Sequence, residues 1–574
     1  MSEAGRIRRA LWILVILSLI VRVAVAAFTE LGNDEVYYWT YAKFPDWSHF
    51  DHPPMVGWVI QLFTLNLTFS SEFFLRLPSI VLGTLDILLI YLIGKNIKNR
   101  LTGLYAAFLF TASFYGSILS STFILPDTPQ VFFWLLTLLL LTESLPDRNL
   151  LLRSRRILIL AGITTGFALL SKYHSAFLIT GTFLYMLFFN RKWFRTTEAW
   201  IGFLVALLMF LPVVLWNYHN HFISFTFQEH RIGEAHHGIR WDYFLTEVGG
   251  QVFYNNPINF LIILLSLLAL FTGRKYLSKE PLRLLLLISL PLALVFPVVA
   301  LFSRTLPHWT GPAYLGLILV ASAWLEETMK KPGRIRLLPW PAGLAAGLAL
   351  VFVLTAFVQI RTGWIPFRKL GWDDPTTQLY GWKQLGEKFR NLAAARQMDE
   401  NMDTSSPIIT FRWFPAAQYD YYVAAPEKRK VYALGPLERI HKYYWIDKAR
   451  GNIPEGTNAY YIALSDDFRS APDLFGSMFR HISGPDTLRI YRGKELVREA
   501  YVYRLLELKK EISFDRVTDF VEPSPAKVRY WRSQIFTHPE WYRLCVQKAR
   551  EQHRDLDDIL WEEAAWAAVD SVNR

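Results

Sequence analysis

Two short polar clusters carry the residue types that do chemistry: Asn33-Asp34-Glu35-Val36-Tyr37-Tyr38-Trp39, and the continuation Trp47-Ser48-His49-Phe50-Asp51-His52-Pro53-Pro54. Both follow directly on an apolar run, 11–28. If that run crosses a bilayer, an acid pair with histidines and aromatics stands at the far membrane surface. Further ionisable groups recur at similar places between apolar runs. They are Asp127 in Leu125-Pro126-Asp127-Thr128-Pro129, then Lys172, Tyr173 and His174, then Arg304 and His308. The stretch 217–257, read as a long loop, adds His219, His221, Glu229, His230, Arg231, Glu234, His236 and His237. These groups are distant in sequence but share one depth. A helical bundle can gather them around one cavity, where a lipid-borne and a water-borne substrate could react.

The elements that must position them are membrane helices. Of 574 residues, 52% are hydrophobic, 16% aromatic and only 19% charged, and the mean hydropathy is +0.20. That composition points to a polytopic membrane protein. A span needs roughly 20 apolar residues to cross about 30 Å of hydrocarbon. Eleven runs qualify: 11–28, 76–94, 101–119, 129–144, 157–170, 176–190, 199–216, 258–272, 284–302, 311–325 and 338–358.

The net charge of +12 forms no continuous basic stripe, so nucleic-acid binding is not expected. The lysines and arginines instead cluster in alternate loops, such as Arg6/Arg8/Arg9, Lys95/Lys98/Arg100 and Arg191/Lys192/Arg195. The positive-inside rule puts those loops in the cytoplasm and the Asp34 loop outside. The apolar run 55–69 would invert this pattern if it crossed, so it is expected to lie as an interfacial or re-entrant helix. Reporter fusions after residues 100 and 360 should read cytoplasmic and outer sides respectively. Two identical signals would break this topology.

After residue 358 the composition turns mixed and polar. Segments 376–392 and 415–423 read as helical, and 407–411, 430–434 and 459–464 as extended. The expected organisation is therefore 1–358 in the membrane, an extracytoplasmic α/β domain at 359–505, and a helical tail at 506–574. The single cysteine, Cys545, excludes a disulfide framework within the chain.

The combination Asp34-Glu35-x-Tyr37-Tyr38-Trp39, Phe50-Asp51-His52-Pro53-Pro54, Arg76-Leu77-Pro78 and Leu125-Pro126-Asp127-Thr128-Pro129 resembles the GT-C membrane glycosyltransferases. The similarity is to the bacterial relatives of protein O-mannosyltransferases and of the aminoarabinose transferase that modifies lipid A. It covers roughly residues 5–320 and thins afterwards to Trp372-Asp373-Asp374-Pro375 and Gly381-Trp382.

The resemblance implies a GT-C fold and transfer of a hexose or pentose from a polyprenyl-phosphate carrier. The acceptor would be an envelope lipid, glycan or protein at the outer face of the cytoplasmic (inner) membrane, with inversion at the anomeric carbon. It makes Asp34 the general base, with Glu35 and Asp127 beside it in the catalytic set, Glu35 as support and Asp127 to orient the acceptor or sugar or to support Asp34. Lys172 and Arg231 are the first candidates to meet the lipid phosphate, followed by Arg304 and His308, with Tyr173, Asp51 and His52 completing the substrate site. No cofactor is implied and a divalent cation is not expected.

Each of these residues also has a plainer reading. Asp34 and Glu35 can cap the following helix, Asp127 can serve a turn between prolines, and Lys172 can snorkel to the interface. The aromatics can form an interfacial belt, and the histidines of 217–257 match no metal-ligand spacing. Among other functions, a transporter or flippase of a lipid-linked substrate should show internal repeats and polar residues at the midplane. The acids here cluster at one surface instead. No phosphate-binding glycine loop or dinucleotide fingerprint is present.

Overall fold

The structure, a computed structural model, describes residues 2–233, 239–330, 336–399, 402–515, 525–552 and 556–570. The chain divides into two compact units, 1–380 and 381–574.

The first unit is a bundle of helices. They are α1 (Glu3–Phe28), α2 (Asn33–Lys43), α3 (Met55–Phe63), α4 (Glu72–Ile97), α5 (Arg100–Ala112), α6 (Asp127–Ser144), α7 (Leu152–Ser171), α8 (Ala176–Phe189), α9 (Thr197–His219), α10 (Ile223–Gly233), α11 (Trp241–Tyr254), α12 (Pro257–Phe271), α13 (Lys279–Ala300), α14 (Gly311–Met329) and α15 (Trp340–Thr362). Side-chain caps start several of them: Ser2 accepts from the Gly5 amide at 3.2 Å, and Asn99 from the Thr102 amide at 2.9 Å. The order of packing runs from α4 onto α5 and α6, then α6 onto α7 and α7 onto α9. At the α7/α9 crossing a Cβ on Gly162 would lie 2.3 Å from the Gly202 carbonyl, so only glycine permits this approach. Along α1 one face buries Ile7, Leu11 and Leu14, while Trp12, Ile13, Ile16, Leu17 and Ile20 stay uncovered. A helix apolar on all sides with an uncovered face is suited to lipid.

Each of the eleven apolar runs falls on helical structure. Among the described residues, six helices are long and apolar enough to cross a membrane unaided, and up to seven if the bent pair α11/α12 counts as one. The run 101–119 is not one helix: α5 stops at Ala112, and a π-helical turn, Tyr115–Leu119, follows. The run 55–69 gives only the nine residues of α3.

The stretch 217–257, expected as a loop, is largely helical, because α11 has buried polar partners. Glu247 accepts from Gln251 (2.8 Å) and from the Thr305 hydroxyl (2.6 Å), and Gln251 accepts from the Tyr314 hydroxyl (2.6 Å). Between α11 and α12 the chain bends by 99°. There Asn256, at φ +67°, donates to the carbonyls of Ala112 (3.0 Å) and Ala345 (2.9 Å).

The second unit contains a five-stranded sheet of order β2-β1-β3-β5-β4, with β1 Ile408–Thr410, β2 Val431–Ala433, β3 Ala459–Leu464, β4 Phe479–Arg492 and β5 Glu495–Leu508. β1 pairs parallel with β2 and β3; β5 pairs antiparallel with β3 and β4. The first three strands in sequence, β1 to β3, match the expected extended segments. The β4/β5 hairpin was not foreseen, since β4 is mostly exposed and lacks a clean alternation of apolar and polar residues. β5 also carries the sheet to Leu508, past residue 505 where the α/β domain was expected to end.

Beneath the sheet, Asp447 accepts from the Ala433 amide at 2.9 Å and Arg450 pairs with Asp420 at 2.5 Å. Three helices close the chain, Pro525–Thr537, Pro539–Gln552 and Leu556–Asp570. Ile535, Cys545, Ile559, Leu560 and Ala564 form their small core.

Candidate active site

The acid pair that opens α2 is divided between two tasks. Glu35 is buried, and its carboxylate accepts from the Gly32 amide (2.9 Å), the Ile124 amide (3.1 Å), and Arg76 Nε (2.7 Å) and Nη2 (2.5 Å). Arg76, itself fully buried, also donates to the Thr29 carbonyl (2.9 Å), the Thr29 hydroxyl (2.8 Å) and the Glu30 carbonyl (2.8 Å). This fork-to-fork pair ties α4 to the loop that ends α1 and to residue 124 before α6.

Glu35 was expected beside Asp34 in the catalytic set, as its support. Its oxygens hold that loop, the geometry of a positioning residue. Asp34 is the exposed member of the pair. Because Arg76→Met would strand a buried carboxylate, it should cost about 3–5 kcal/mol. Thermal unfolding of the detergent-solubilised protein checks this, and Arg76→Lys, which keeps the charge but not the fork, should fall between the two.

Asp51, expected to touch substrate, is also held from within. It is 8% exposed and accepts from the Tyr37 hydroxyl at 2.9 Å and from the Tyr41 hydroxyl. Burial and the Asp51 charge push the Tyr41 phenol well above its ordinary pKa. For Tyr38 the causes are burial, Asp51 and then Asp34, so both rings remain protonated donors. His52 lies against Tyr38, ring centres 5.8 Å apart. From α10, Gln228 donates to the Asp51 carbonyl at 3.2 Å and Ser224 to the His49 carbonyl at 3.0 Å, fixing this loop from the other side.

At the start of α6, Asp127 is 3% exposed. Lys172 Nζ donates to both its oxygens, at 3.0 and 2.8 Å, and the Tyr115 hydroxyl donates at 2.8 Å. Tyr115 can reach because α14 opens with Gly311, where a Cβ would lie 2.2 Å from the phenol ring. Lys172 is equally buried and does not snorkel to the interface. Burial and the Lys172 charge drive the His174 imidazole well below its ordinary pKa, so it is neutral. Its ring packs on Phe296 (5.2 Å) and Trp309 (5.7 Å).

His308 is close enough to Asp127 for their charges to interact, and its ring lies 6.0 Å from Tyr254. Both Asp34 and Asp127 lie within electrostatic reach of Tyr38 and Tyr254. One neighbourhood thus gathers Asp34, Asp127, Lys172, His308, Tyr38 and His52. Tyr173 turns its ring to Phe210 and Phe225 instead, and burial raises its phenol to about 12. Arg304 is exposed beside Thr305, the residue that binds Glu247. The Arg231 side chain lies outside the described residues, as do the side chains of Glu229, His230, Glu234, His236 and His237.

Tyr115 and Tyr254 were not singled out from the sequence. Arg76 entered there within Arg76-Leu77-Pro78, one of the motifs of the resemblance, without an assigned role. Among the described residues no group of three or more His, Cys, Asp or Glu side chains is arranged to hold a metal ion.

Tyr254 also lines a cavity of about 480 Å³ that extends along the bundle. Its walls come from α1, the α5/π-turn segment, α11, α15 and residues 375–379, and they are almost wholly apolar. The site therefore joins a charged, hydrogen-bonding end to an apolar chamber of ligand size.

Residues 51–216 match the family described as dolichyl-phosphate-mannose-protein mannosyltransferase. Over 338 residues the chain is 25% identical to lipid A galacturonosyltransferase RgtD of Rhizobium johnstonii, a match covering 58% of this chain and 66% of that relative. The fold is similar to that of ArnT from Cupriavidus metallidurans bound to undecaprenyl phosphate, with a TM-score of 0.55 at 15% identity over 88% of this chain and 98% of that one. The apo form of the same protein gives 0.53 at 14% identity over 86% and 97%. These matches identify the chain as a multi-pass membrane protein with the GT-C fold of membrane glycosyltransferases.

Proposed function

We propose that this protein transfers a sugar from a polyprenyl-phosphate carrier to an acylated glycolipid of the lipid A class, at the outer face of the cytoplasmic membrane. One observation carries the reading: exposed Asp34 and the buried Asp127, paired with Lys172, both lie within electrostatic reach of Tyr254, a wall residue of an apolar cavity. In the reaction, an acceptor oxygen gives its proton to Asp34 and attacks the anomeric carbon. The bond from that carbon to the carrier phosphate breaks, and the phosphate leaves with the electron pair. The developing phosphate charge meets Lys172, whose ammonium keeps a donor beyond those given to Asp127, with His308 and Arg304 as further donors. Glu35, Arg76 and Asp51 keep the loops of this site in place.

The RgtD and ArnT relatives support a lipid acceptor and a polyprenyl carrier respectively. The test is reconstitution of the full chain in nanodiscs with an undecaprenyl-phosphate-linked sugar and lipid A. Mass spectrometry should find sugar-modified lipid A and free undecaprenyl phosphate in equal amounts. Carrier consumed without modified lipid A, or no consumption with a panel of such sugars, overturns the reading.

A further inference from the structure

The apolar cavity contains one charge. Arg22, on α1, is 2% exposed and lines the chamber, yet among the described residues only Nη1 has a partner, the Thr84 hydroxyl at 3.4 Å. Its Nε and Nη2 have none among the described residues, and there neither carboxyl oxygen of the nearby buried Asp86 is hydrogen-bonded. Buried guanidinium groups with unused donors are costly and usually functional inside a membrane.

The position of Arg22 suggests what would satisfy it. On α1 the chamber is lined from Leu14 to Val25, about 17 Å of helix at 1.5 Å per residue. Arg22 stands in the outer part of that length. A polyprenyl chain is pure hydrocarbon below its phosphate and offers no acceptor there. An acylated glycolipid differs: its ester and amide carbonyls, and any hydroxyls on its acyl chains, lie a few bonds below the sugar.

We infer that this cavity holds an acyl chain of the acceptor, and that Arg22 recognises its carbonyl or hydroxyl oxygens by donating from Nε and Nη2. The inference rests on the proposed transferase reading but concerns binding alone, so it can be tested without donor or turnover. The full chain in detergent is titrated with lipid A, with de-acylated lipid A and with undecaprenyl phosphate, and binding is read by native mass spectrometry. Wild type should bind lipid A and not the de-acylated form. Arg22→Met should weaken lipid A binding by about tenfold or more, as expected for a lost charge-assisted hydrogen bond, and leave undecaprenyl phosphate binding unchanged.

Ala349, 6% exposed in the same wall, offers a second variant that touches no charge. Ala349→Phe should fill the chamber and weaken lipid A binding in the same selective way. If either variant, monodisperse and unfolding at the wild-type temperature, leaves lipid A binding intact, the inference is overturned. It is equally overturned if undecaprenyl phosphate binding falls instead. An absence of turnover with intact, Arg22-dependent lipid A binding would overturn only the transferase reading.

Discussion

Asp34→Asn is expected to lower transfer by about 10²–10⁴-fold, the usual contribution of a positioned general base, while leaving folding and membrane insertion unchanged. The separation of effects follows from the two neighbouring acids. Asp34 is exposed at the start of α2, whereas the contacts that hold the loop belong to Glu35. An amide at position 34 is nearly isosteric and still able to accept a hydrogen bond at the helix N-terminus, so capping survives. What is lost is the capacity to take a proton from the acceptor. The check is the initial rate of sugar transfer to lipid A, with thermal unfolding of the same preparation as the control. Near-normal turnover would remove Asp34 from the mechanism. Loss of folding in step with loss of activity would reduce it to a cap.

That division of labour could not be read from the sequence, where Asp34 and Glu35 look alike. Adjacent helical positions point about 100° apart, and only the fold says which side faces Arg76 and residue 124. The same limit applied to Asp51, whose two tyrosine partners are ten and fourteen residues upstream and reach it only because α2 folds back over the loop. The bundle itself was legible, since hydrophobic length and alternating charge mark helices and sides without long-range information. The helical α11 was not. Its amphipathic pattern rests on Glu247 and Gln251, polar residues whose burial is compensated by Thr305 and Tyr314 from other elements. The β4/β5 hairpin escaped for a related reason, because a mostly exposed strand gives a weak pattern.

Lys172→Met is the change expected to damage both stability and activity, and its partner substitution can separate the two. With Lys172 gone, Asp127 remains a buried carboxylate with only the Tyr115 hydroxyl as donor among its side-chain partners in the described residues. Breaking a buried pair from one side typically costs about 3–5 kcal/mol because the remaining charge is uncompensated. Adding Asp127→Asn removes that charge, so the double variant Asp127→Asn/Lys172→Met should recover most of the lost stability. Activity should behave otherwise. If the ammonium stabilises the departing phosphate, its loss costs about 10²-fold or more in rate, and neutralising Asp127 cannot restore it. A thermal-unfolding cycle on the four proteins, run beside transfer assays, decides between the roles. Coupling in stability with no rescue of rate assigns Lys172 to the chemistry. Rescue of both would make the Asp127–Lys172 pair a structural brace, and the phosphate would have to be met by His308 and Arg304 instead.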